Sequence, residues 1–463
     1  MTNVQTKKID ALKDSLEGEV LVPGNAAYDD ARKIWNAMID KYPAIIARCA
    51  SSSDVVHAVN FARDNDLLLA IRGGGHNIAG SALCDGGIVV DLSRMKATHV
   101  NAQTRQGSAE GGATLADFDA ATQAHGLATP LGINSTTGVA GLTLGGGFGW
   151  LSRKYGMTVD NLESAEVVTA AGDIVRASAT EQPDLFWALR GGGGNFGVVT
   201  RFDFRLHPVG PGVLSGLMVF PISEAKSVLL QYRDFAAKTP DELSVWAVLR
   251  KAPPLPFLPE RTHGTEIVGL ALLYVGDSAQ GEALIAPMRK FGHLLGEHVG
   301  VQPYVNWQKA FDPLLSPGAR NYWKSHNFST LDDKLFDIVI EYAMKLPSSQ
   351  CELFFGAVGG ATERPAPDAT AYIHRDARFV MNVHGRWDNP ADDNRCVAWA
   401  RDYFKASAPF ATGGVYVNFL TAEEGDRVRS AYGKNFDRLA SIKRQYDPGN
   451  LFRTNQNIGP APH

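Results

Sequence analysis

The chain has 463 residues, 44% of them hydrophobic and 20% charged, with a formal net charge of -4. This is the profile of an ordinary soluble globular protein with room for two or three cores, and it gives no electrostatic reason to expect nucleic acid. The longest apolar stretches, such as Ile267 to Val275, are too short to span a bilayer, and Met1 to Asp10 lacks an apolar h-region, so a cytoplasmic location is expected.

Ser51-Ser52-Ser53-Asp54 reads as a helix N-terminus, with Val55, Val59 and Ala62 then falling on one helical face. Short strands follow at Leu67 to Ile71, at Gly87 to Leu92, and near His99 and Ser108. Thr114 can cap a helix to about Ala124. Ser164 to Thr169 and Ile174 to Ala177, joined by Ala170-Ala171-Gly172-Asp173, read as a β-hairpin. Asp184 to Leu189 is expected to be a short helix and Val198 to Leu206 a strand. His207-Pro208-Val209-Gly210-Pro211-Gly212 has the composition of a linker. Amphipathic helices are expected at Ile222 to Lys238, Ala279 to Lys290 and Glu423 to Gln445. Three parts are expected: a cofactor domain over 1–207, a substrate domain over 208–412, and a segment over 413–463 that returns to the first domain.

Three glycine-rich segments fall in the first part. They are Arg72-Gly73-Gly74-Gly75-His76-Asn77, the run from Gly138 to Gly149, and Arg190-Gly191-Gly192-Gly193-Gly194-Asn195-Phe196-Gly197. Any one of them could be a tight turn. Three together point to a large ligand lying along bare backbone, whose N–H groups can close on an anion. None sits between a strand and a helix as GxGxxG, and Gly-Lys-Ser/Thr is absent, which disfavours Rossmann and P-loop sites. His76, beside such a loop, is a nucleophile placed next to a phosphorylated cofactor, which suggests a flavin. Cys49, Cys84, Cys351 and Cys396 show no CxxC spacing, so no metal site or disulfide framework is expected.

These glycine motifs, with Tyr416-Val417-Asn418-Phe419 and the run from Tyr446 to Arg453, resemble the FAD-linked oxidases, in particular the berberine-bridge-enzyme-like branch of the vanillyl-alcohol-oxidase superfamily. The resemblance implies an α+β chain: a two-subdomain PCMH-type FAD-binding domain, plus a substrate domain with an antiparallel sheet covered by helices. It implies FAD bonded through the residue matching His76. Relatives with a second covalent link carry a cysteine where this chain has Asn134, so a single bond is expected. By the same resemblance the FAD contacts fall on Arg72, Gly73, Gly74, Gly75, His76, Asn77, Gly80, Gly132, Thr136, Thr137, Gly138, Gly141, Leu142, Thr143, Gly145, Gly146, Gly149, Trp150, Gly156, Asn161, Gly192, Gly197, Val198, Tyr416 and Asn418. Thr137 and Leu142 are the expected controls of oxygen access.

Alternation along Phe379 to Trp387 puts Val380, Asn382, His384 and Arg386 on one strand face. That face either is solvated or meets substrate; the resemblance favours substrate, with Asn382 and His384 as catalytic candidates. Tyr416 and Asn418 are expected to share a strand face, with Tyr416 a candidate proton acceptor, although Phe419 stands where relatives often have a second tyrosine. Glu352 opens another strand as either a base, an anchor for a cationic amine, or a surface salt bridge, and Tyr322 and Lys324 are outer candidates. The expected activity is an oxidase that moves a hydride from a C–H bond next to O or N to flavin N5 and passes electrons to O2. A dehydrogenase with another acceptor, and a catalytically silent flavin-binding protein, are the alternatives. The expected partners are a small-molecule substrate and O2, with no nucleic acid and no membrane.

Overall fold

Short runs of β-branched residues between glycine turns build two small sheets in the N-terminal half. The structure, a computed structural model, describes residues 3–462; Met1, Thr2 and His463, at the outer ends of the expected first and last parts, lie outside the described residues. The first sheet has strands Glu19–Leu21, Ile45–Arg48, Ile88–Asp91 and Leu69–Arg72 in that spatial order. Ile45–Arg48 and Leu69–Arg72 flank Ile88–Asp91 in parallel, and helix Ser52–Asp64 makes the crossover. Ser51 caps that helix by accepting from Asp54 N, and Val55, Ala58, Val59 and Ala62 bury its inner face.

The second sheet is antiparallel: Thr98–Asn101, Gln106–Glu110, Val198–Arg205, Leu162–Val168 and Ile174–Ser178. Its last two strands are the expected hairpin. Helix Leu115–Gln123 starts at a capping box between Thr114 and Asp117.

The expected linker is shorter than its composition suggested. His207–Pro208 pairs with Leu127–Ala128, and the next strand begins at Gly212. That strand, Gly212–Pro221, belongs to a seven-stranded antiparallel sheet. Its order is Gly296–Pro303, Gly212–Pro221, Glu266–Tyr274, Leu243–Lys251, Glu352–Ala357, Phe379–Trp387, Arg320–Phe328. Helices Ala225–Ala236, Asp333–Ala343 and Asp393–Ser407 cover one face, burying Tyr232, Phe336 and Tyr403 against it. The opposite face of its central strands turns toward the glycine segments.

The expected helix from Glu423 to Gln445 is broken into Val428–Tyr432 and Phe436–Tyr446. Gly433 lies between them at φ +48, a conformation that ends a right-handed helix. The chain then turns back on a fully buried ion pair. Lys443 Nζ meets Asp447 Oδ2 at 2.5 Å and donates to the Asn195 and Phe452 carbonyls, while Asp447 accepts from Leu451 N and Phe452 N. Most of the Tyr446-to-Arg453 motif is thus spent on docking the C-terminal segment against the third glycine cluster.

Candidate active site

The strand Leu69–Arg72 is buried at Leu69 and Ala70 and half-buried at its end, where the chain continues through Gly73, Gly74 and Gly75. Gly74 and Gly138 approach so closely that a Cβ on either would collide with the backbone nitrogen of the other. The first two glycine segments are therefore packed backbone to backbone, which no other residue type allows. Between them and the seven-stranded sheet runs a cleft with a cavity volume of about 300 Å³. Gly73 to Asn77, Gly132 to Asn134, Thr137, Gly138, Gly141, Leu142, Gly193 to Asn195, Gly197, Val198 and Thr454 to Gln456 line it on the glycine side.

His76 lies on this cleft with Nε2 at 2.8 Å from Thr136 Oγ1. Trp35 stacks on its imidazole, centroids 5.1 Å apart and planes at 21°. Burial pushes His76 down to about 3, so the ring is neutral at any ordinary pH.

Strand Phe379–Trp387 has the expected bounds, and all nine residues are buried. Its polar face is therefore not solvated. Asn382 and His384 line the cleft, together with Glu352, Phe354, Trp246 and Trp323 from neighbouring strands. Behind them is a connected set of charges. Arg250 Nη1 donates to Glu352 Oε2 at 2.6 Å, and His384 bridges Glu352 Oε1 (3.3 Å, through Nδ1) and Asn321 Oδ1 (3.1 Å, through Nε2). Arg386 donates to the same Asn321 oxygen at 3.3 Å and to the Ser316 carbonyl at 2.6 Å. Burial pushes the Glu352 carboxyl up, but Arg250, His384 and Arg386 outweigh it and hold it below the usual value. Burial pushes the His384 imidazole down, and Glu352 beside it opposes that push.

The segment around Tyr416 is not the expected strand: Val417–Phe419 is a 3-10 turn after an extended Tyr416. Tyr416 and Asn418 nevertheless meet on the cleft. Asn418 Nδ2 donates to Tyr416 Oη at 3.1 Å and to the Gly141 carbonyl at 3.1 Å, and Gly147 N donates to the same Oη at 3.1 Å. Burial raises the Tyr416 phenol to about 12, so it remains protonated and its hydrogen is free for the cleft.

Other expected contacts stand back from the cleft. Arg72 donates to the Ala31 carbonyl. Gly80 sits under Ile39, Gly145 against Asn418, Gly146 against Tyr372, Gly149 against Leu131, and Gly192 against Ala188. Thr143 is fully buried, and Trp150 packs on Trp246 and Trp307. Gly156 ends a one-turn helix at φ +87, and Asn161 donates to the Tyr155 and Met157 carbonyls. Thr136 stands behind the cleft and meets it through His76 and Asn134. Tyr322 and Lys324 lie on the far face of their strand, bound to Glu423, while Trp323 between them faces the cleft. The four cysteines are free and buried. Among the described residues there is no metal-binding group of His, Cys, Asp and Glu, and no helix is long and apolar enough to cross a membrane.

A sequence profile described as an FAD binding domain matches residues 43–178, and one described as berberine and berberine like matches 415–459. An uncharacterized FAD-linked oxidoreductase, YgaK of Bacillus subtilis (strain 168), is 31% identical over 462 residues, covering 97% of this chain and 98% of that protein. The chain belongs to the FAD-linked oxidoreductases. Within that family it is 30% identical to (R)-6-hydroxynicotine oxidase of Paenarthrobacter nicotinovorans, over 96% of this chain and 97% of that one. The crystal structure of 6-hydroxy-D-nicotine oxidase from Arthrobacter nicotinovorans superposes with a TM-score of 0.87 at 28% identity, covering 96% of this chain and 99% of that one.

The cleft lining fits a large polar cofactor such as FAD in two respects. Gly141 and Gly194 line the cleft with no atom within 4 Å of where a Cβ would sit, so the backbone is bare on that side. Thr454 Oγ1, Asn455 Oδ1 and Asn382 Oδ1 are buried on the cleft with no partner among the described residues, as expected of groups awaiting a polar ligand. Trp35, Trp323, Trp246 and Thr454 to Gln456 were not among the expected contacts. Trp35 comes from an irregular segment without periodicity, and no sequence pattern marks it.

Proposed function

We propose that this FAD-linked oxidoreductase is an oxidase of a flat, largely apolar organic substrate that carries an oxidisable C–H bond beside a hydroxyl or amine. One observation supports this above the others: the Trp35 ring lies 5.1 Å from that of His76 and 6.3 Å from that of His384, so the residue expected to tether the flavin and the polar face share one cleft. Six Trp and Phe rings, Trp35, Phe148, Trp246, Trp323, Phe354 and Phe419, line that cleft beside Tyr416 and Tyr432. They favour an aromatic substrate, in line with the hydroxynicotine named for one relative, over the sugar named for the xylooligosaccharide oxidase of Myceliophthora thermophila C1 (25% identity, TM-score 0.84, 98% of this chain and all of that one).

FAD, when bound, would supply a two-electron acceptor for the hydride, with O2 as the final acceptor giving H2O2. Gly73 to His76, Gly141, Gly194, Thr454 and Asn455 would hold it, bonded once through His76. The protein's part is proton and position. Glu352, ionised and fixed by Arg250, accepts the O–H or N–H proton as the adjacent C–H bond is oxidised. Asn382 Oδ1, free of partners, accepts from the substrate and orients it. Tyr416 donates rather than acting as the base. In this reading the FAD unit spans 1–207 with 413–463, and the substrate unit spans 208–412.

The test is a panel of aromatic amines and alcohols with H2O2 as the readout, run alongside an artificial electron acceptor. Stoichiometric peroxide supports the oxidase. Turnover with the artificial acceptor alone would make the enzyme a dehydrogenase, and flavin that no substrate reduces would leave a silent binding protein.

A further inference from the structure

Two buried thiols meet behind the polar face of the cleft. Cys351 immediately precedes strand Glu352–Ala357. Glu352 and Phe354 line the cleft, so alternation turns Cys351 and Leu353 to the helix-covered side of the sheet. Cys351 Sγ lies 3.4 Å from both the amide nitrogen and the carbonyl oxygen of Arg386 in the next strand. Cys396 stands at the end of the first turn of helix Asp393–Ser407, which packs on that same strand. Gly385 opens the approach, because a Cβ there would lie 3.8 Å from the Cys396 carbonyl oxygen. The two thiols are joined by a hydrogen bond, and both are free.

This pair differs in reactivity from the other two cysteines. Burial pushes the Cys49 and Cys84 thiols up, Cys84 to about 11, so neither forms the reactive thiolate. The hydrogen bond from Cys351, helped by Arg395, holds Cys396 below its ordinary value, while the same bond and burial push Cys351 up. Cys396 is also one side chain below the surface, between exposed Arg395 and half-buried Val397.

We propose that Cys351 and Cys396 are a peroxide-oxidised dithiol, in which Cys396 is attacked first and Cys351 closes a disulfide. The inference goes beyond the oxidase reading: that reading supplies hydrogen peroxide on the opposite face of the same sheet, but peroxide from any source suffices. The Cys396 thiolate forms an S–O bond as the peroxide O–O bond breaks, and the released hydroxide leaves as water with the proton that Cys396 gave up. The Cys351 sulfur then attacks the sulfenic sulfur. The S–S bond forms, the S–O bond breaks, and that hydroxyl leaves as water with the Cys351 proton. Two thiols lose two electrons in total, and one peroxide gains them. The bond fastens helix Asp393–Ser407 to the residue preceding Glu352, directly behind the cleft.

The test is hydrogen peroxide added stepwise to the purified holoenzyme, then unfolding in an alkylating agent and non-reducing peptide mapping. Of the four thiols, two are expected to disappear, with one linked peptide joining Cys351 to Cys396 and dithiothreitol restoring both. Cys49 and Cys84 should be alkylated in full throughout. Retention of all four thiols, or loss of Cys49 and Cys84 as fast as the pair, would overturn the inference. Cys351→Ser separates the two roles: peroxide should leave a sulfenic acid on Cys396 that dimedone captures, and an unlabelled Cys396 would remove it as the attacked thiol. The wild-type map needs no variant, so it decides the disulfide even where Cys351→Ser does not fold.

Discussion

Arg250 and Glu352 pair directly across adjacent strands and meet at 2.6 Å, each side chain only 11% exposed. Breaking a buried pair by removing one partner costs about 3–5 kcal/mol, so Arg250→Met should lower Tm clearly. The pH dependence has a definite sign. Glu352 is held below its ordinary value of 4.5, so its pairing contributes stability above that pH and loses it as pH falls through the lowered value. The gap in Tm between wild type and Arg250→Met should be widest near neutrality and narrow below pH 4.5. Glu352→Gln tests the chemistry separately. As the proton acceptor, its loss should lower kcat about 10²-fold or more; an unchanged kcat would reduce Glu352 to a structural partner of Arg250.

Tyr416 makes the opposite prediction. Its phenol sits at about 12, so it does not change charge in the working range. Tyr416→Phe should lower kcat/KM by about tenfold, the value of one donor to substrate or cofactor, while the pH profile keeps its shape. Loss of an alkaline or acid limb in that variant would restore Tyr416 as a base. The Gly147 N–H that now donates to its oxygen is left unpaired, so a modest fall in Tm should accompany the change.

What could be read in the sequence follows from how local the responsible forces are. The Thr114 cap and the nine-residue strand Phe379–Trp387 were legible because a cap is written within four residues and a strand face within every second one. The glycine clusters announced a ligand because their bare backbone has few other uses at that density. Val415 to Phe419 misled: its β-branched and aromatic residues suggest a strand, but Asn418 is held by the Gly141 and Leu142 carbonyls, and those long-range bonds impose a 3-10 turn. Gly156 and Asn161 stand in a turn beside the site, where Asn161 donates to the Tyr155 and Met157 carbonyls and ties that turn to His207, whose Nε2 lies 2.6 Å from Asn161 Oδ1. Trp35 reaches His76 through an irregular segment anchored by the Gly75 carbonyl and by Leu315, contacts between residues far apart in sequence.

Asp119 tests the contact between helix Leu115–Gln123 and the short helix Tyr304–Gln308. Gln308 Nε2 donates to Asp119 Oδ2 at 2.9 Å, while Oδ1 is buried without a partner. Burial raises the carboxyl from 3.8 to about 7, against the opposing pull of Gln308. The native state therefore holds a proton that the unfolded chain releases. Its stabilising effect is complete below about pH 4 and is lost as pH rises toward 7, by up to about 4 kcal/mol at 1.36 kcal/mol per unit. Wild-type Tm should fall between pH 5 and 8 more steeply than that of Asp119→Asn, whose amide does not titrate. Parallel slopes would mean that the carboxylate is stabilised by something other than Gln308.

Gly141 separates binding of the cofactor from stability of the fold. It lies in helix Val139–Leu144 on the cleft, and no atom stands within 4 Å of its missing Cβ. Its φ is in the ordinary range, so Gly141→Leu introduces no backbone strain, and leucine is the better helix former by somewhat under 1 kcal/mol. The apoprotein should keep or slightly raise its Tm. The leucine side chain, however, would enter the open space on the glycine side of the cleft. FAD content of the purified variant, measured as the ratio of flavin to protein absorbance, should fall well below that of wild type. Full loading at unchanged Tm would show that the cofactor does not lie along this helix, and the FAD cradle would then have to be assigned to the Gly73 to Gly75 and Gly193 to Gly194 backbones alone.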